Sequence, residues 1–99
     1  MNEFRLSTEA ERNLDEIFDY IARDNPAAAS RFVQLIKGKF RLLAEFPRMG
    51  RSRPEFGTRT RSFVVRKYTI FYRVIKEGVL ITHIYHGARD LFALFGKNK

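Results

Sequence analysis

Two histidines near the C-terminal end are the side chains of this sequence best suited to proton transfer. His83 and His86 carry imidazoles that titrate near neutral pH, so either could serve as a general acid or a general base. Residues three apart on a strand point to opposite faces, and we therefore predict that the two do not act as a pair. We interpret His83 as a packing or hydrogen-bonding residue. His86 is the better functional candidate, although a structural role is favoured for it as well.

A polar segment, residues 86–90, closes the last apolar run and contains a second set of candidates. Arg89 and Asp90 are adjacent opposite charges, and two interpretations stay open: an ion pair that closes the sheet, or contact with a macromolecular target. Tyr85, just before this segment, could stack on a nucleic-acid base. Tyrosine on a half-buried strand is more often part of the core, so this role stays secondary.

Arginine is concentrated in the middle of the chain. From Arg48 to Arg73 the only acid is Glu55, and guanidinium forks suit phosphates and carboxylates. A solvated surface is the plain alternative, but the density favours a binding surface. We predict that Arg59, Arg61, Arg66 and Arg73 contact a target, and that Arg61, Arg66, Lys67 and Arg73 share one basic face.

Composition limits the possible classes of function. The chain has 99 residues, 44% of them hydrophobic, which suits one domain over residues 1–99 with a single core. Cysteine is absent and there are two histidines, so we expect no disulfide, no metal site and no cofactor. No signal peptide or membrane-length apolar run is visible, and a cytoplasmic protein is expected. The net charge of +8 favours polyanions or an acidic protein partner.

Two helices must lie upstream of these candidates. Residues 3–7 alternate polar and apolar and predict a short strand. Ser7 and Thr8 offer N-caps for a first helix that ends near Asp24, with one apolar stripe at helical spacing. Asn25 is predicted to cap a second helix, which Pro26 begins and residues 46–47 end. So short a link makes the two helices antiparallel neighbours.

Three strands follow a long polar loop over residues 48–60. Residues 61–65 open a sheet, residues 68–75 form its second strand, and residues 79–85 return after a turn that ends at Gly78. Alternation places Val79, Ile81, His83 and Tyr85 on the face opposite to Leu80, Thr82 and Ile84. The fold class is α+β in the order β-α-α-β-β-β: an N-terminal strand, an antiparallel helical hairpin packed on an antiparallel sheet of three to four strands, and a short C-terminal tail. The uncovered sheet face is fairly apolar, which predicts a partner.

Five segments in this order resemble toxins of the ParE/RelE superfamily, from type II toxin–antitoxin modules. They are LSTEAERNLDEIFDYIA, NPAAASRFV, FPRMGRSRPEF, VVRKYTIFYRV and HGARDLFALF. The resemblance covers nearly the whole chain, and the last segment is most similar to the ParE branch.

The RelE branch implies ribosome-dependent cleavage of messenger RNA by side chains on the sheet. Its basic positions align with Ser62, Val64 and Thr69, which cannot stabilise phosphorane charge as Lys and Arg do. Its C-terminal Arg aligns with Arg89, the one match. A ribonuclease would then have to use His86, Arg89 and Tyr85, and this stays as the alternative.

The ParE branch implies inhibition of DNA gyrase by binding, without catalytic residues. It also implies a cognate antitoxin with an acidic C-terminal segment, and contact with operator DNA only through that antitoxin. A basic interaction module without toxicity is a third hypothesis. On the ParE interpretation the predicted target-binding residues are Arg59, Arg61, Arg66, Arg73, His86, Arg89 and Asp90.

Overall fold

The computed structural model describes residues 2–87, and within them the chain forms two helices and a five-stranded sheet. The predicted α+β order, with a helical hairpin packed on a sheet, is confirmed. The predicted tail, including Arg89 and Asp90, lies outside the described residues. The elements are β1 (Glu3–Leu6), α1 (Thr8–Ala22), α2 (Pro26–Glu45), β2 (Arg51–Ser52), a 3₁₀ turn (Pro54–Phe56), β3 (Thr60–Val65), β4 (Tyr68–Ile75) and β5 (Gly78–His86).

Side-chain caps set where both helices begin. The Ser7 hydroxyl accepts the Ala10 N–H at 3.0 Å and starts α1. The Asn25 carboxamide accepts the Ala28 N–H at 3.1 Å and starts α2, as predicted. Each bond satisfies a backbone donor that the first helical turn leaves without a partner. The Ser7 hydroxyl also donates to the Thr82 carbonyl at 2.9 Å, which ties the start of α1 to the sheet.

The sheet is mixed, whereas the sequence predicted an antiparallel sheet of three to four strands. Its order is β1-β5-β4-β3-β2, and β1 runs parallel to β5 while the other pairs are antiparallel. Alternation in a four-residue strand indicates a buried face but carries no information on direction. A strand of two residues, β2, shows no periodicity at all and was therefore predicted as loop.

A β-bulge in β5 corrects the predicted facing of that strand. The pairing shifts between Phe71 and Tyr72, so that Thr82 has no opposite residue and its hydroxyl donates to the Phe71 carbonyl at 3.2 Å. An extra residue reverses the alternation beyond it. His83 and Tyr85 therefore lie on the same face as Leu80, and the prediction that they share a face with Val79 and Ile81 is wrong. His83 and His86 do lie on opposite faces, as predicted.

The core lies between the helical hairpin and one face of the sheet. Phe40 of α2 is fully buried and its ring packs 5.3 Å from that of Phe4, while Phe32 packs 5.2 Å from Tyr68. The helices lie mainly across β1 and β5, and Phe32 extends the contact to Tyr68 of β4. The fully buried large side chains are Tyr72, Phe40, Phe71, Ile36, Leu43, Ile70, Ile81, Ile84 and Val79.

The other side of the sheet, which we call the outer face, is partly covered by the chain itself. Phe56 of the 3₁₀ turn meets Phe71 edge-on, with ring centroids 5.6 Å apart. Arg53 stacks 5.1 Å over the Phe56 ring and pairs with Glu55 at 3.1 Å. Arg53, one of the clustered arginines, therefore has a structural role. Within residues 2–87, neither helix has the length and apolar character to cross a membrane.

Candidate functional site

A buried tyrosine holds the loop that follows α2. Tyr72 is 0% exposed, and its hydroxyl donates to the Pro47 carbonyl at 2.7 Å while accepting the Gly50 N–H at 2.9 Å. Gly50 sits so close that a Cβ there would overlap the Tyr72 hydroxyl and the Ser62 carbonyl. Burial raises the pKa of Tyr72 above its ordinary 10.0, and the Gly50 hydrogen bond and Arg61 oppose that rise. The residues between Pro47 and Gly50 are thus fixed to β4.

Arg61 holds the same loop from a second direction. Its Nη1 donates to the Gly50 carbonyl at 2.6 Å and to the Arg48 carbonyl at 3.3 Å. The side chain is half-buried, because Arg61 pairs with Tyr72 and so points to the helix side of the sheet. Arg61 was predicted to contact a target; the structure gives its Nη1 an internal role and leaves that prediction untested.

Three arginines line one cleft beside this loop. The cleft has a volume of about 280 Å³ and opens at the sheet corner beyond the end of α2. Arg59 enters it from a strained turn, with φ at 60°, where a non-glycine residue costs about 1 to 2 kcal/mol. We call this feature the arginine cleft; its lining residues are Arg48, Ser52, Arg59, Thr60, Arg61 and Val74.

The predicted single basic face does not form. Arg73 is exposed on the outer face, where it pairs with Thr60, whereas Arg61 points to the helix side, because neighbouring strand positions alternate. Arg66 and Lys67 form the β3–β4 turn, about 17 Å from the arginine cleft at 3.3 Å per residue. Alternation and strand length thus separate the four residues of the predicted basic face, of which Arg61 alone lines the arginine cleft; Arg59, predicted separately as target-binding, lines it as well.

A second concavity lies between α1 and the far end of the sheet. It has a volume of about 410 Å³, and exposed His86 lies in it with its ring edge-on to Tyr68 at 5.5 Å. Tyr20, 68% exposed, forms its outer wall. Burial, with a smaller contribution from Tyr20, raises the pKa of Tyr68, which stays a hydroxyl donor at neutral pH. We call this concavity the α1 groove; it is lined by Asn13, Glu16, Ile17, Tyr20, Lys67, Tyr68, Ile84 and His86.

The side chains of the alternative ribonuclease do not converge within the described residues. Tyr85 lies on the outer face near Phe71, with ring centroids 6.3 Å apart, whereas His86 lies in the α1 groove on the other side of the sheet. Arg89 lies outside the described residues. His83 shares the outer face with Tyr85, with rings 5.1 Å apart. Burial lowers the pKa of His83, against a smaller opposing effect of Glu9, so its imidazole is neutral at pH 7.

The three positions aligned with basic residues of the RelE branch lie together on the outer face. Val64 pairs directly with Thr69, and Ser62 is the next outward-facing residue of β3. Ser62 is 6% exposed and Val64 is 66% exposed. None of the three offers a positive charge. Elsewhere in residues 2–87, no group of three His, Asp or Glu side chains is placed to hold a metal ion.

Comparison with known proteins decides the family. A family profile described as the ParE toxin of the type II toxin–antitoxin system parDE matches residues 4–91. The chain belongs to the ParE toxin family. This ParE-family toxin is 34% identical over 86 residues to toxin ParE3 of Caulobacter vibrioides, with 86% of each chain covered. It is also 30% identical over 86 residues to toxin RelE1 of the same organism, covering 83% of this chain and 89% of that one.

Solved structures agree with the fold of this ParE-family toxin. A chain of the chromosomal ParDE toxin–antitoxin system from P. aeruginosa superposes with a TM-score of 0.71 at 24% identity, covering 87% of this chain and 96% of that one. A chain of the RelBE2 toxin–antitoxin complex from Mycobacterium tuberculosis superposes with a TM-score of 0.58 at 26% identity, covering 86% and 96%. Both branches of the superfamily therefore share this architecture.

Sequence reasoning missed what α1 contributes to this ParE-family toxin. The signals were present: Asn13 is a polar residue between the stripe positions Ala10 and Leu14, and Tyr20 is an aromatic residue off that stripe. In the structure Asn13 is buried, and its side-chain oxygen accepts the Ile84 N–H at 3.0 Å. The Ile84 N–H is thus satisfied by the side chain of Asn13 rather than by a neighbouring strand. Asn13 also lines the α1 groove.

Proposed function

We propose that this ParE-family toxin inhibits DNA gyrase by binding, without a chemical step of its own. The observation that carries the proposal is the chemistry of Ser62, Val64 and Thr69 on the outer face. A ribonuclease needs cationic or proton-transferring groups where phosphorane charge develops, and these side chains supply neither. A protein that captures its target needs complementary surfaces instead, and the α1 groove and the arginine cleft are two such surfaces.

A ribosome-dependent ribonuclease is the second candidate. The similarity to toxin RelE1 and to the RelBE2 complex favours it. Its proposed residues count against it, because Tyr85 and His86 lie on opposite faces of the sheet. Two side chains separated by a β-sheet cannot act on one phosphodiester.

We also propose that a cognate antitoxin neutralises this toxin, as the pairing in the ParDE system and the RelBE2 complex suggests. The net charge of +8 suits an antitoxin with an acidic segment. The α1 groove supplies an apolar site for such a segment, because Tyr20 is 68% exposed beside the half-buried Tyr68. Gyrase is cytoplasmic, so the toxin would act in the cytoplasm.

Two assays on the same purified toxin separate the candidates. In the first, plasmid supercoiling by gyrase is followed as toxin is added; in the second, messenger RNA is followed on translating ribosomes. We expect supercoiling to fall while the messenger stays intact. Cleaved messenger with unaffected supercoiling would contradict the gyrase proposal.

A conservative variant sharpens the comparison. Tyr85→Phe removes one hydroxyl from the outer face and keeps the aromatic ring. Binding to gyrase should change less than twofold, whereas a ribonuclease that depends on this hydroxyl should lose at least tenfold in rate. Expression of the toxin alone should stop growth, and co-expression with its antitoxin should restore it. Unimpaired growth at high expression would instead support a non-toxic interaction module.

A further inference from the structure

The arginine cleft is lined mainly by residues whose side chains can donate hydrogen bonds, and three of them are positively charged. Its lining contains Arg48, Arg59 and Arg61 together with the hydroxyl residues Ser52 and Thr60, and Nη1 of Arg61 is already bonded to the loop carbonyls. Among the described residues that line it, none carries a carboxylate, and Val74 supplies the apolar part. The ligand chemistry that matches such a lining is an oxyanion.

The backbone around the arginine cleft is fixed before any ligand arrives. Tyr72 and Arg61 hold the loop that carries Arg48 through four hydrogen bonds, from 2.6 to 3.3 Å long. On the other side, the Thr60 carbonyl accepts the Arg53 N–H at 2.8 Å and closes the loop that carries Arg59. A site whose backbone is already ordered loses less entropy when it binds.

We propose that the arginine cleft binds a phosphate of the nucleic-acid backbone, so that the toxin itself contacts DNA. Arginine and serine side chains, such as those of Arg48, Arg59 and Ser52, are among the donors that contact backbone phosphates. An acidic peptide is the competing ligand, but its side chains need apolar surface as well as charge, and Val74 alone provides that. This inference does not depend on gyrase being the target, and it differs from the sequence-based expectation that DNA is met only through the antitoxin.

The position of the cleft suits a long polyanion. It lies beside β2, the last strand of the sheet, so no further strand flanks it on that side among residues 2–87. Arg51 of β2 and Arg73 of β4 are exposed at the same end of the sheet, but on the outer face, opposite to Arg61. A nucleic-acid backbone that leaves the cleft round the β2 edge would therefore meet further positive charge on the outer face.

The test measures DNA binding by the whole toxin as a function of salt. A fluorescein-labelled 20-base-pair duplex is titrated with toxin, and its anisotropy is followed between 50 and 200 mM NaCl. Two variants probe the cleft: Arg48→Gln, and Arg59→Asn, which tolerates the left-handed backbone. Arg31→Gln is the matched control, because exposed Arg31 lies about 21 Å along α2 from its end and its loss changes the net charge equally.

Each cleft variant should weaken binding about five- to tenfold and lower the slope of log K against log salt by about 0.9. Arg31→Gln should change the affinity less than twofold and leave the slope as it is. Circular dichroism and the Tm of each variant should match the wild type, since Arg48 and Arg59 are exposed. Equal losses in all three variants, or no binding by the wild type, would overturn the proposal. So would preferential binding of a glutamate decapeptide that the cleft variants alone abolish.

Discussion

Tyr72 connects the sheet core to the loop that shapes the arginine cleft, and its hydroxyl can be removed without changing the ring. In Tyr72→Phe the buried Gly50 N–H loses its acceptor, which costs about 1 to 3 kcal/mol. The bond donated to the Pro47 carbonyl is lost as well, a net cost of about 1 kcal/mol. Together these lower the free energy of unfolding by about 3 kcal/mol, which is a large part of the stability of a domain this size.

Urea unfolding followed by circular dichroism measures this change directly. The midpoint should fall with an unchanged m-value, and the Tm should fall by about 12 to 15 °C for a chain of this length. Tyr20→Phe is the matched control, because Tyr20 is 68% exposed, and it should stay within about 0.5 kcal/mol of the wild type. A loss below about 0.5 kcal/mol in Tyr72→Phe would refute the argument that its hydroxyl holds the loop.

Two further measurements separate the loop contact from a general core defect. Arg61→Met removes the other hydrogen bonds to the same loop, so the double variant should show a coupling energy of about 0.5 kcal/mol or more.

The second measurement is the stability of the wild type and of Tyr72→Phe at alkaline pH. Since burial raises the pKa of Tyr72, the unfolded chain ionises first above pH 10, and wild-type stability falls as the pH rises further. Tyr72→Phe lacks this loss, so the difference between the two proteins should narrow there.

Three other substitutions have expected outcomes in the same unfolding assay. Asn13→Ala leaves the buried Ile84 N–H without its acceptor and should cost about 2 kcal/mol. Gly78→Ala should cost more than about 3 kcal/mol, because φ is 149° and a Cβ would overlap the Glu3 carbonyl. His83→Gln should flatten the pH dependence just below pH 6.5: burial lowers the folded pKa, so the unfolded chain takes up the proton first and wild-type stability falls with falling pH.

Each of these three substitutions has a control whose effect on stability should differ from it. Gln34→Ala on the exposed side of α2 should leave stability within about 0.5 kcal/mol. Gly38→Ala, in open space within α2, should stabilise by up to about 1 kcal/mol, opposite in sign to Gly78→Ala. His83→Gln is instead compared with the wild type at pH 8, where the His83 imidazole is neutral in the folded and the unfolded chain and the two slopes should coincide. If a substitution and its control changed stability equally, the physical reason given for that substitution would be wrong.

The helices could be predicted closely from the sequence because their signals are local. Asn25 and Pro26 define a cap and a first turn within two residues, and both take those positions in the structure. The strand alternation from Tyr68 to Val74 likewise shows which side chains share a face, since a period of two needs no knowledge of the partner, and the structure shows that this face packs on the helices.

The parts that failed depend on residues far apart in the chain. Nothing near Thr82 in the sequence indicates the bulge, where its hydroxyl donates to the Phe71 carbonyl across the sheet. From the sequence, Arg59 and Arg61 look like equivalent surface charges. They differ only in the folded protein, where Arg61 donates a hydrogen bond to the Gly50 carbonyl. Asn13 is the same kind of case, because its partner is 71 positions away.

The parallel contact between β1 and β5 has a consequence for how the chain is made. Phe4 pairs with Val79, which is synthesised much later, so β1 cannot take its place in the sheet until β5 has been made. The helical hairpin can form early from local contacts, but the sheet closes late and over a long loop, which slows folding.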